Sequence, residues 1–268
     1  MKKIWKLALP VCLMGMLMSG CLKENLGVGN RVQPEEEGVA KWNKNKTIEL
    51  YFVSELADKG VSEFPQLWNY VKGKGDAWTI GVIDRCDVMY NPPRKNTNAF
   101  AYTSFATGKF ASYALNRYAG GNTQGSTILF NHKINNEEFY PVSSDCFVKF
   151  IRIQAKTTTE NPVEIIVPFA TARFETVAHI EAAKTAFGKI SAPTHQAMMV
   201  GTVKADVAEK LKSAVEALTG YAYTEVTKGD DYVLFMAAPK SWVLRETTKD
   251  LVGKNLAAFC LSIEASVE

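Results

Sequence analysis

The sequence is short of the residue types and motifs on which many enzyme sites depend. Its three histidines, His132, His179 and His195, lie far apart, and none has a partner at metal-ligand spacing. Its five cysteines include no C-x-x-C pair, and the motifs G-x-S-x-G, H-E-x-x-H and the P-loop are absent. These absences exclude the common sites that those motifs mark, and no metal or other cofactor is expected.

A surplus of basic residues is also missing once the first few residues are set aside. The chain has 31 Lys and Arg against 28 Asp and Glu, but three of the lysines, Lys2, Lys3 and Lys6, stand at its start. The rest of the chain is therefore balanced in charge. Since general nucleic-acid binders carry a marked basic excess, no general nucleic-acid binding is expected.

The first 20 residues have the pattern of a secretory leader. A basic stretch, Met1–Lys6, precedes the apolar run Leu7–Met18, and small residues follow just before Cys21. The apolar run is shorter than the ~20 residues that a transmembrane helix needs, so a cleaved signal peptide is favoured. Its end resembles a bacterial lipobox, which implies cleavage before Cys21 and lipid on its thiol and new amino group. An ordinary secretory peptide with an accidental cysteine is the alternative.

The residues after Cys21 form a polar stretch that predicts a tether. Leu22-Lys23-Glu24 looks like the tag with which Bacteroides-type bacteria send lipoproteins to the cell surface, and Glu35-Glu36-Glu37 follows Pro34. Such a composition cannot bury enough apolar surface to fold. We expect a lipoprotein signal peptide over 1–20, a flexible tether over 21–45 and one domain over 46–268, held by its lipid on the outer membrane or cell surface.

Three cysteines belong to the predicted domain, Cys86, Cys146 and Cys260. One disulfide with one odd thiol would suit an oxidising compartment. Three buried free cysteines are the alternative that we favour.

Strands and helices alternate along the domain. Apolar runs, and one run in which apolar and charged residues alternate, predict these strands: Thr47–Ser54, Trp78–Ile83, Thr127–Asn131, Cys146–Lys156, Glu164–Phe169, Ala197–Val203, Tyr232–Met236 and Ala257–Ile263. Apolar residues three and four apart predict helices over Val61–Val71, around Val177–Phe187 and over Ala205–Leu218, the last ended by Gly220.

The stretch 91–124 contains basic and aromatic residues but no acid. We interpret it as a long surface excursion or a pair of helical turns. Its Tyr102, Phe105 and Tyr113 either pack within the loop, which we favour, or form an exposed platform on which sugars or bases stack.

This order of elements resembles the endonuclease/exonuclease/phosphatase family, which has the fold of deoxyribonuclease I. The segments that carry the likeness are TIELYFVS, WTIGVID, GSTILFNHKI, FVKFIRIQAK, EIIVPFATARF, MMVGTVKADV and DYVLFMAAPKSWVL. The resemblance covers the whole domain. It implies an α/β (α+β) fold, a four-layer sandwich of two mixed sheets flanked by helices, in which the continuous apolar strands are buried on both faces.

In that family a carboxylate-bound divalent metal and a histidine backed by an aspartate hydrolyse phosphate esters. Carried over by position, these groups are missing from this chain. The family's asparagine, glutamate, histidine, Gly-Asp-Phe-Asn and Ser-Asp-His fall respectively at Ser54, Arg85, Ala172, Gly201-Thr202-Val203-Lys204 and Gly253-Lys254-Asn255. The resemblance therefore implies a site without catalytic residues and without a metal.

The degenerate cleft gathers cations instead. Arg85, Lys204 and Lys254 would repel a metal and favour an anionic group, unless they point apart into solvent. The candidate ligand-binding residues are Ser54, Arg85, Arg173, Lys204, Lys254 and Asn255. The carboxylates that could act as relocated metal ligands are Asp84, Asp87, Glu175, Asp206 and Asp231, and we expect these to be solvated surface groups.

Three functions compete on this reading. The one that we favour is a non-catalytic surface or periplasmic lipoprotein whose cleft binds a glycan, a nucleotide or nucleic-acid fragment, or a protein. The second is a divergent metal-dependent phosphodiesterase or endonuclease with relocated ligands. The third is a structural component of an envelope complex.

The lipid anchor leads to a first testable outcome. The Cys21→Ser variant, which lacks the thiol that would carry the lipid, should leave the membrane fraction and become soluble, since the sequence offers no other anchoring device. Fractionation and immunoblotting of cells that express the wild type and the variant measure this. A variant that still pellets with membranes would contradict the lipoprotein prediction.

Overall fold

Two β-sheets packed face to face form the framework of the domain. The computed structural model describes residues 31–32, 47–53, 63–74, 79–84, 89–90, 97–98, 103–104, 106–119, 122–131, 134–144, 146–156, 164–192, 197–229, 231–254 and 256–264. The predicted leader and Cys21 lie outside these ranges. Within them, no helix has the length and apolar character needed to cross a membrane.

The strands are short to medium in length and are numbered in chain order. They are β1 (Arg31–Val32), β2 (Thr47–Val53), β3 (Thr79–Ile83), β4 (Met89–Tyr90), β5 (Thr97–Asn98), β6 (Phe110–Ala119), β7 (Asn122–Phe130), β8 (Ile134–Pro141), β9 (Phe147–Lys156), β10 (Glu164–Phe174), β11 (Met198–Lys204), β12 (Ala222–Lys228), β13 (Tyr232–Ala238), β14 (Val243–Leu251) and β15 (Ala257–Glu264).

Both large sheets are mixed. Among the described residues, the first sheet has the order β1-β6-β7-β3-β2-β15-β14 and the second the order β12-β13-β11-β10-β9-β8, while β4 and β5 form a separate ribbon. The pairs β2–β3 and β10–β11 are parallel and the other pairs are antiparallel. The two strands of each parallel pair therefore have their carboxyl ends at the same end of the sheet.

Helices cover the outer face of each sheet. Helix α1 (Phe64–Gly73) packs its buried residues on the first sheet. Helices α2 (Val177–Ala182), α3 (Lys184–Ser191) and α4 (Ala208–Thr219) pack on the second sheet. Helix α4 follows a short 3-10 turn and ends at Gly220, whose positive φ of 68° makes it the predicted C-cap.

The inner faces of the two sheets enclose the central core. Leu50, Phe52 and Val82 of the first sheet meet Phe169 and Met198 of the second in one buried cluster. These residues alternate along their strands with residues that face the helices, as side chains in a strand must. The predicted fold, two mixed sheets with helices outside them, is confirmed.

The interpretation of 91–124 as a surface loop or helical turns was wrong in its second half. Residues from Phe110 onward form β6 and β7, a hairpin in the first sheet, and Tyr113 is buried with 3% of its surface exposed. Tyr113 is therefore not part of an exposed aromatic platform. Tyr102 and Phe105 lie outside the described residues.

Three further strands, β8, β12 and β14, gave no signal in the sequence. All three lie at edges of sheets, and β12 and β14 are largely exposed along their length. An edge strand with solvent on one side can be made mostly of polar and charged residues, so the apolar run that marks a buried strand is missing.

The helical region after β10 also differs in detail. The single helix predicted around Val177–Phe187 is two short helices, and His179 in the first of them is buried at 6% exposure. Leu218, in the last turn of α4, is 42% exposed.

Two of the three domain cysteines can be placed. Cys146 is buried and Cys260 is half-buried, and neither forms a disulfide. Cys86 lies outside the described residues.

Two glycines offer a paired test of how closely β10 and β11 pack. Gly201 faces Ala172 across this strand pair, and a Cβ at Gly201 would overlap the carbonyl oxygen of Ala172. Gly201→Ala should therefore lower the free energy of unfolding by about 2 kcal/mol, as for other overpacked positions. Gly188→Ala is the control, because it lies in α3 with open space around it and should raise stability by up to about 1 kcal/mol. Urea unfolding monitored by circular dichroism measures both, and equal effects would contradict this packing.

Candidate functional site

The carboxyl ends of the two parallel strand pairs meet at one end of the sandwich. Asp84 directly follows β3 in the first sheet, while Arg173 lies near the end of β10 in the second. An ion pair between these two side chains joins the ends of the two sheets, with Arg173 Nη1 2.8 Å from Asp84 Oδ2. Ligands of sandwiches and open sheets commonly bind at such strand ends, which makes this end the candidate site.

The layer between the sheets changes from apolar to polar as it approaches this end. On the inner face of β10, the buried Phe169 belongs to the central core, and the buried polar residues Thr171 and Arg173 follow it at intervals of two. On β3, Val82 belongs to the same core and Asp84 comes two residues later. The period of two places all of these side chains in the layer between the sheets.

Arg173 is the centre of a network of five residues, three of them buried, which we call the arginine cluster: Asp84, Ser126, Arg173, Glu175 and Tyr232. The guanidinium donates through Nη1 to Asp84 Oδ2 at 2.8 Å and through Nε to Glu175 Oε1 at 3.0 Å. The ring of Tyr232 lies against the guanidinium, with its centroid 3.9 Å from Cζ. Two edges and one face of the guanidinium are therefore occupied by side chains of this chain.

The two carboxylates of the arginine cluster have further partners. Ser126 of β7 donates its hydroxyl to Asp84 Oδ1 at 3.1 Å, within the first sheet. The Tyr232 hydroxyl lies 2.9 Å from both carboxylate oxygens of Glu175, to which it donates. Asp84 and Arg173 each expose only 2% of their side chains, and Glu175 exposes 12%. The expectation that these acids are solvated surface groups was wrong for Asp84 and Glu175.

The guanidinium of Arg173 keeps its positive charge although it is buried. Burial by itself lowers the pKa of the guanidinium, but Asp84, Glu175 and Tyr232 outweigh it and raise this pKa above its ordinary value. With one cation between two carboxylates, the arginine cluster carries a net charge of about −1 when all three groups are ionised. An anion approaching Arg173 would therefore meet a cation that is already more than neutralised.

The side chain that faces this site from β10 is Arg173, and not its neighbour Ala172. Ala172 belongs to the outer cluster, which packs against α2, α3 and α4. In a strand, adjacent residues point to opposite faces, so a shift of one position moves a side chain out of the site. Aligning the family's histidine with Ala172 therefore selected the wrong face of β10.

The other predicted binding residues are only partly described. Ser54, Arg85 and Asn255 lie outside the described residues, as does Asp87. Lys204 ends β11 with 45% of its side chain exposed, and it pairs with Asp206 at 3.4 Å.

Lys254 is exposed in the turn between β14 and β15. This turn lies at the same end of the sandwich as Asp84, because Ala258 at the start of β15 pairs with Val53 at the end of β2.

A second buried ion pair lies further along the same layer. Lys149 of β9 donates to Glu137 of β8 at 2.8 Å, and Lys149 exposes 1% of its side chain. The alternation of charged and apolar residues in CFVKFIRIQAK indicates a half-exposed strand, but the lysine that it assigns to solvent is buried between the sheets. The sequence gives no sign that Glu137 is the partner.

Solved structures identify the architecture. An endonuclease/exonuclease/phosphatase family protein from Leptotrichia buccalis superposes with a TM-score of 0.55 over 81% of this chain and 100% of its own, at 9% identity. A protein of the same family from Bacteroides thetaiotaomicron gives 0.53 over 82% and 98%, at 8% identity. Humanised D. rerio TDP2 gives 0.54 over 82% and 100%, at 9% identity. The fold is that of the endonuclease/exonuclease/phosphatase proteins.

The likeness concerns the fold alone, since identities of 8–9% say nothing about shared chemistry. No family model matches the chain, and no curated protein matches it. The chemistry of the site therefore depends on its own residues.

A divalent metal of the kind that the resembled family uses does not fit the residues present at this end of the fold. Magnesium is bound by one or two carboxylates together with substrate oxygens, and the ion must lie in direct contact with those carboxylates. Here Asp84 and Glu175 both bind the buried guanidinium, which stands between them. Across the described ranges, no three His, Cys, Asp or Glu side chains are grouped so that they could hold a metal.

Sequence reasoning missed Ser126 and Tyr232 and misjudged Asp84. A signal for Asp84 exists, because an acid directly after the fully buried strand TIGVI starts close to the interior. No such signal exists for Tyr232 or Ser126, since their roles depend on which strands become neighbours across the fold.

Tyr232 gives a test of the arginine cluster at neutral pH. Tyr232→Phe keeps the ring against Arg173 but removes the hydrogen bonds to Glu175, and should lower the free energy of unfolding by about 1 kcal/mol. Tyr223→Phe is the matched control, because the buried hydroxyl of Tyr223 has no hydrogen-bond partner in the described structure, so its removal should be neutral or stabilising. Urea unfolding at pH 7 compares the two, and an equal loss in both variants would contradict the assigned role.

Tyr232 also predicts a dependence on alkaline pH. Burial raises its pKa above the ordinary value of 10.0, although Arg173 opposes the shift. The unfolded chain then releases the phenol proton from about pH 10 upward while the folded chain retains it, so this residue lowers stability as pH rises. Tyr232→Phe should therefore show a shallower decline in melting temperature above pH 10 than the wild type, and parallel curves would argue against it.

Proposed function

We propose that this protein is a membrane-anchored, non-catalytic binding module built on the endonuclease/exonuclease/phosphatase fold. The observation that carries the proposal is the arginine cluster. The carboxylates nearest the strand ends, Asp84 and Glu175, are used to hold Arg173. A hydrolase of phosphate esters needs such groups free to bind a metal or to accept a proton.

The described histidine near the site also argues for a structural role. His179 is buried in α2, and its Nδ1 lies 3.4 Å from the backbone nitrogen of Glu175, from which it accepts a hydrogen bond. Because Nδ1 of His179 already accepts this hydrogen bond, it is not available to take a proton from a water molecule or a substrate hydroxyl. His132 and His195 lie outside the described residues.

The charges at this end favour a neutral ligand over a phosphate group. Arg173 is neutralised by two carboxylates, and Lys204 is paired with Asp206. A glycan, which presents hydroxyl groups, or a protein surface suits this balance better than the anionic group that the sequence favoured. Hydroxyl groups can bind to neutral donors and acceptors without a cation.

The proposal places the domain at the outer membrane or cell surface. It rests on the leader pattern before Cys21 and on the polar stretch that would separate the domain from the lipid. A structural role in an envelope complex uses the same anchor but needs no ligand at the strand ends. Glycan and nucleotide arrays probed with the domain separate these two roles, since the structural role predicts no specific binding.

The absence of turnover is tested by direct assay. The purified soluble domain, incubated with plasmid DNA and with an activated phosphodiester in the presence of Mn²⁺ or Mg²⁺, should show no hydrolysis above the buffer blank, because the site carboxylates are engaged by Arg173. A metal-dependent nuclease serves as the positive control.

If hydrolysis is observed, variants of the carboxylates show whether this protein or a contaminant catalyses it. Turnover that disappears in a Glu175→Ala or an Asp206→Ala variant would show that the metal ligands have merely moved, and the alternative of a divergent phosphodiesterase would replace our proposal. Turnover that persists at the same rate when each of Asp84, Asp87, Glu175, Asp206 and Asp231 is changed would indicate a contaminant.

A further inference from the structure

In the arginine cluster a guanidinium lies between two carboxylates, a place that a metal ion often occupies in proteins. Asp84 comes from the first sheet and Glu175 from the second, and one buried cation lies between them. Two carboxylates brought together in a buried place repel each other unless a positive charge separates them. The charge that separates them here belongs to the chain itself.

We infer that the Arg173 guanidinium takes the place of a divalent cation between the two sheets, and that removing it turns the arginine cluster into a divalent-cation site. The inference goes beyond the proposed binding function, because it concerns what closes this end of the sandwich. It shares with that proposal the observation that Arg173 occupies both carboxylates.

The groups around the guanidinium have the chemistry of a site for a hard cation. Asp84 and Glu175 supply carboxylate oxygens, and Ser126 and Tyr232 supply hydroxyl oxygens that already touch those carboxylates. Magnesium, manganese and calcium prefer such oxygen ligands. Without Arg173 the two carboxylates would leave two negative charges with no cation between them, and a divalent ion would neutralise both.

The surroundings explain why the native chain should ignore metals. The guanidinium is fixed by two hydrogen-bonded carboxylates and by the ring of Tyr232 at 3.9 Å, and only 2% of the side chain is exposed. A metal ion would have to displace a cation that is permanently charged. We therefore expect no metal-dependent stabilisation of the wild type.

The buried pair Lys149–Glu137 is the natural control within the same layer. It also joins a buried cation to a carboxylate, at 2.8 Å, but within the described ranges Lys149 pairs with one carboxylate instead of two. Removing Lys149 should destabilise the domain without creating a cation site. A divalent ion that merely stabilised any uncompensated buried carboxylate would act on both variants alike.

The experiment compares melting temperatures with and without divalent cations. Arg173→Ala should melt about 10 °C below the wild type, because breaking a buried ion pair leaves a charge uncompensated. Adding Mn²⁺ at about ten times its dissociation constant should return about 4 °C of this loss. The wild type and Lys149→Ala should shift by less than about 1 °C under the same conditions.

Two further variants protect the test against failure to fold. In Arg173→Ala with Asp84→Asn, one carboxylate is lost, so the recovery with Mn²⁺ should disappear. Arg173→Lys keeps a cation but loses the two-edged contact, and should melt between the wild type and Arg173→Ala without responding to Mn²⁺. If Arg173→Ala is insoluble without metal, its soluble yield with and without Mn²⁺ in the refolding buffer is the readout.

The inference fails if Arg173→Ala gains no stability or soluble yield from Mn²⁺, Mg²⁺ or Ca²⁺, or if Lys149→Ala gains as much. It also fails if the wild type itself is stabilised by these ions. These outcomes are separate from the hydrolysis assay. A wild type that is indifferent to metals but binds no ligand would overturn the proposed function and leave this inference standing.

Discussion

The ion pair between Arg173 and Asp84 is the contact on which this end of the structure depends, because it joins the two sheets where their cores become polar. The two residues lie 89 positions apart in the chain, and their side chains meet at 2.8 Å in a place with almost no solvent. Burying such a pair is costly unless every charge is well bonded. The hydroxyl of Ser126, the carboxylate of Glu175 and the ring of Tyr232 meet that requirement.

The layer between the sheets has two parts, and this ion pair belongs to the charged one. Towards one end the layer is a close-packed apolar core, which residues such as Phe52 and Phe169 fill. Towards the other it holds paired charges, including a second pair made by Lys149 and Glu137. The apolar part stabilises through burial, which does not depend on direction. The charged part adds little net stability, but removing one partner of a pair would leave a buried charge uncompensated.

The fold of this domain and the chemistry of its strand ends have to be distinguished. The fold matches that of endonuclease/exonuclease/phosphatase proteins over most of the chain, and it brings the carboxyl ends of β3, β10 and β11 together as a cleft would require. The groups delivered to that place are nevertheless an arginine and its own counterions. A fold supplies positions, and the chemistry follows from the residues that occupy them.

The sequence by itself determined the class of fold, because the apolar runs of β2, β3, β10 and β11 are long enough to be recognised and must be buried on both faces. It also determined the cap at Gly220, where a positive φ suits glycine. The exposed edge strands β12 and β14 were beyond it, since their polar residues carry no pattern of burial.

Only the tertiary structure decided the site. Whether Asp84 is solvated or buried depends on a cation that arrives from another sheet, and whether Ala172 or Arg173 faces the site depends on the register of β10. The sequence placed acids and bases near strand ends, but a charge takes its role from its partners. Those partners, Tyr232 and Ser126 among them, become neighbours only when the two sheets pack, because the contacts that join them span long stretches of chain.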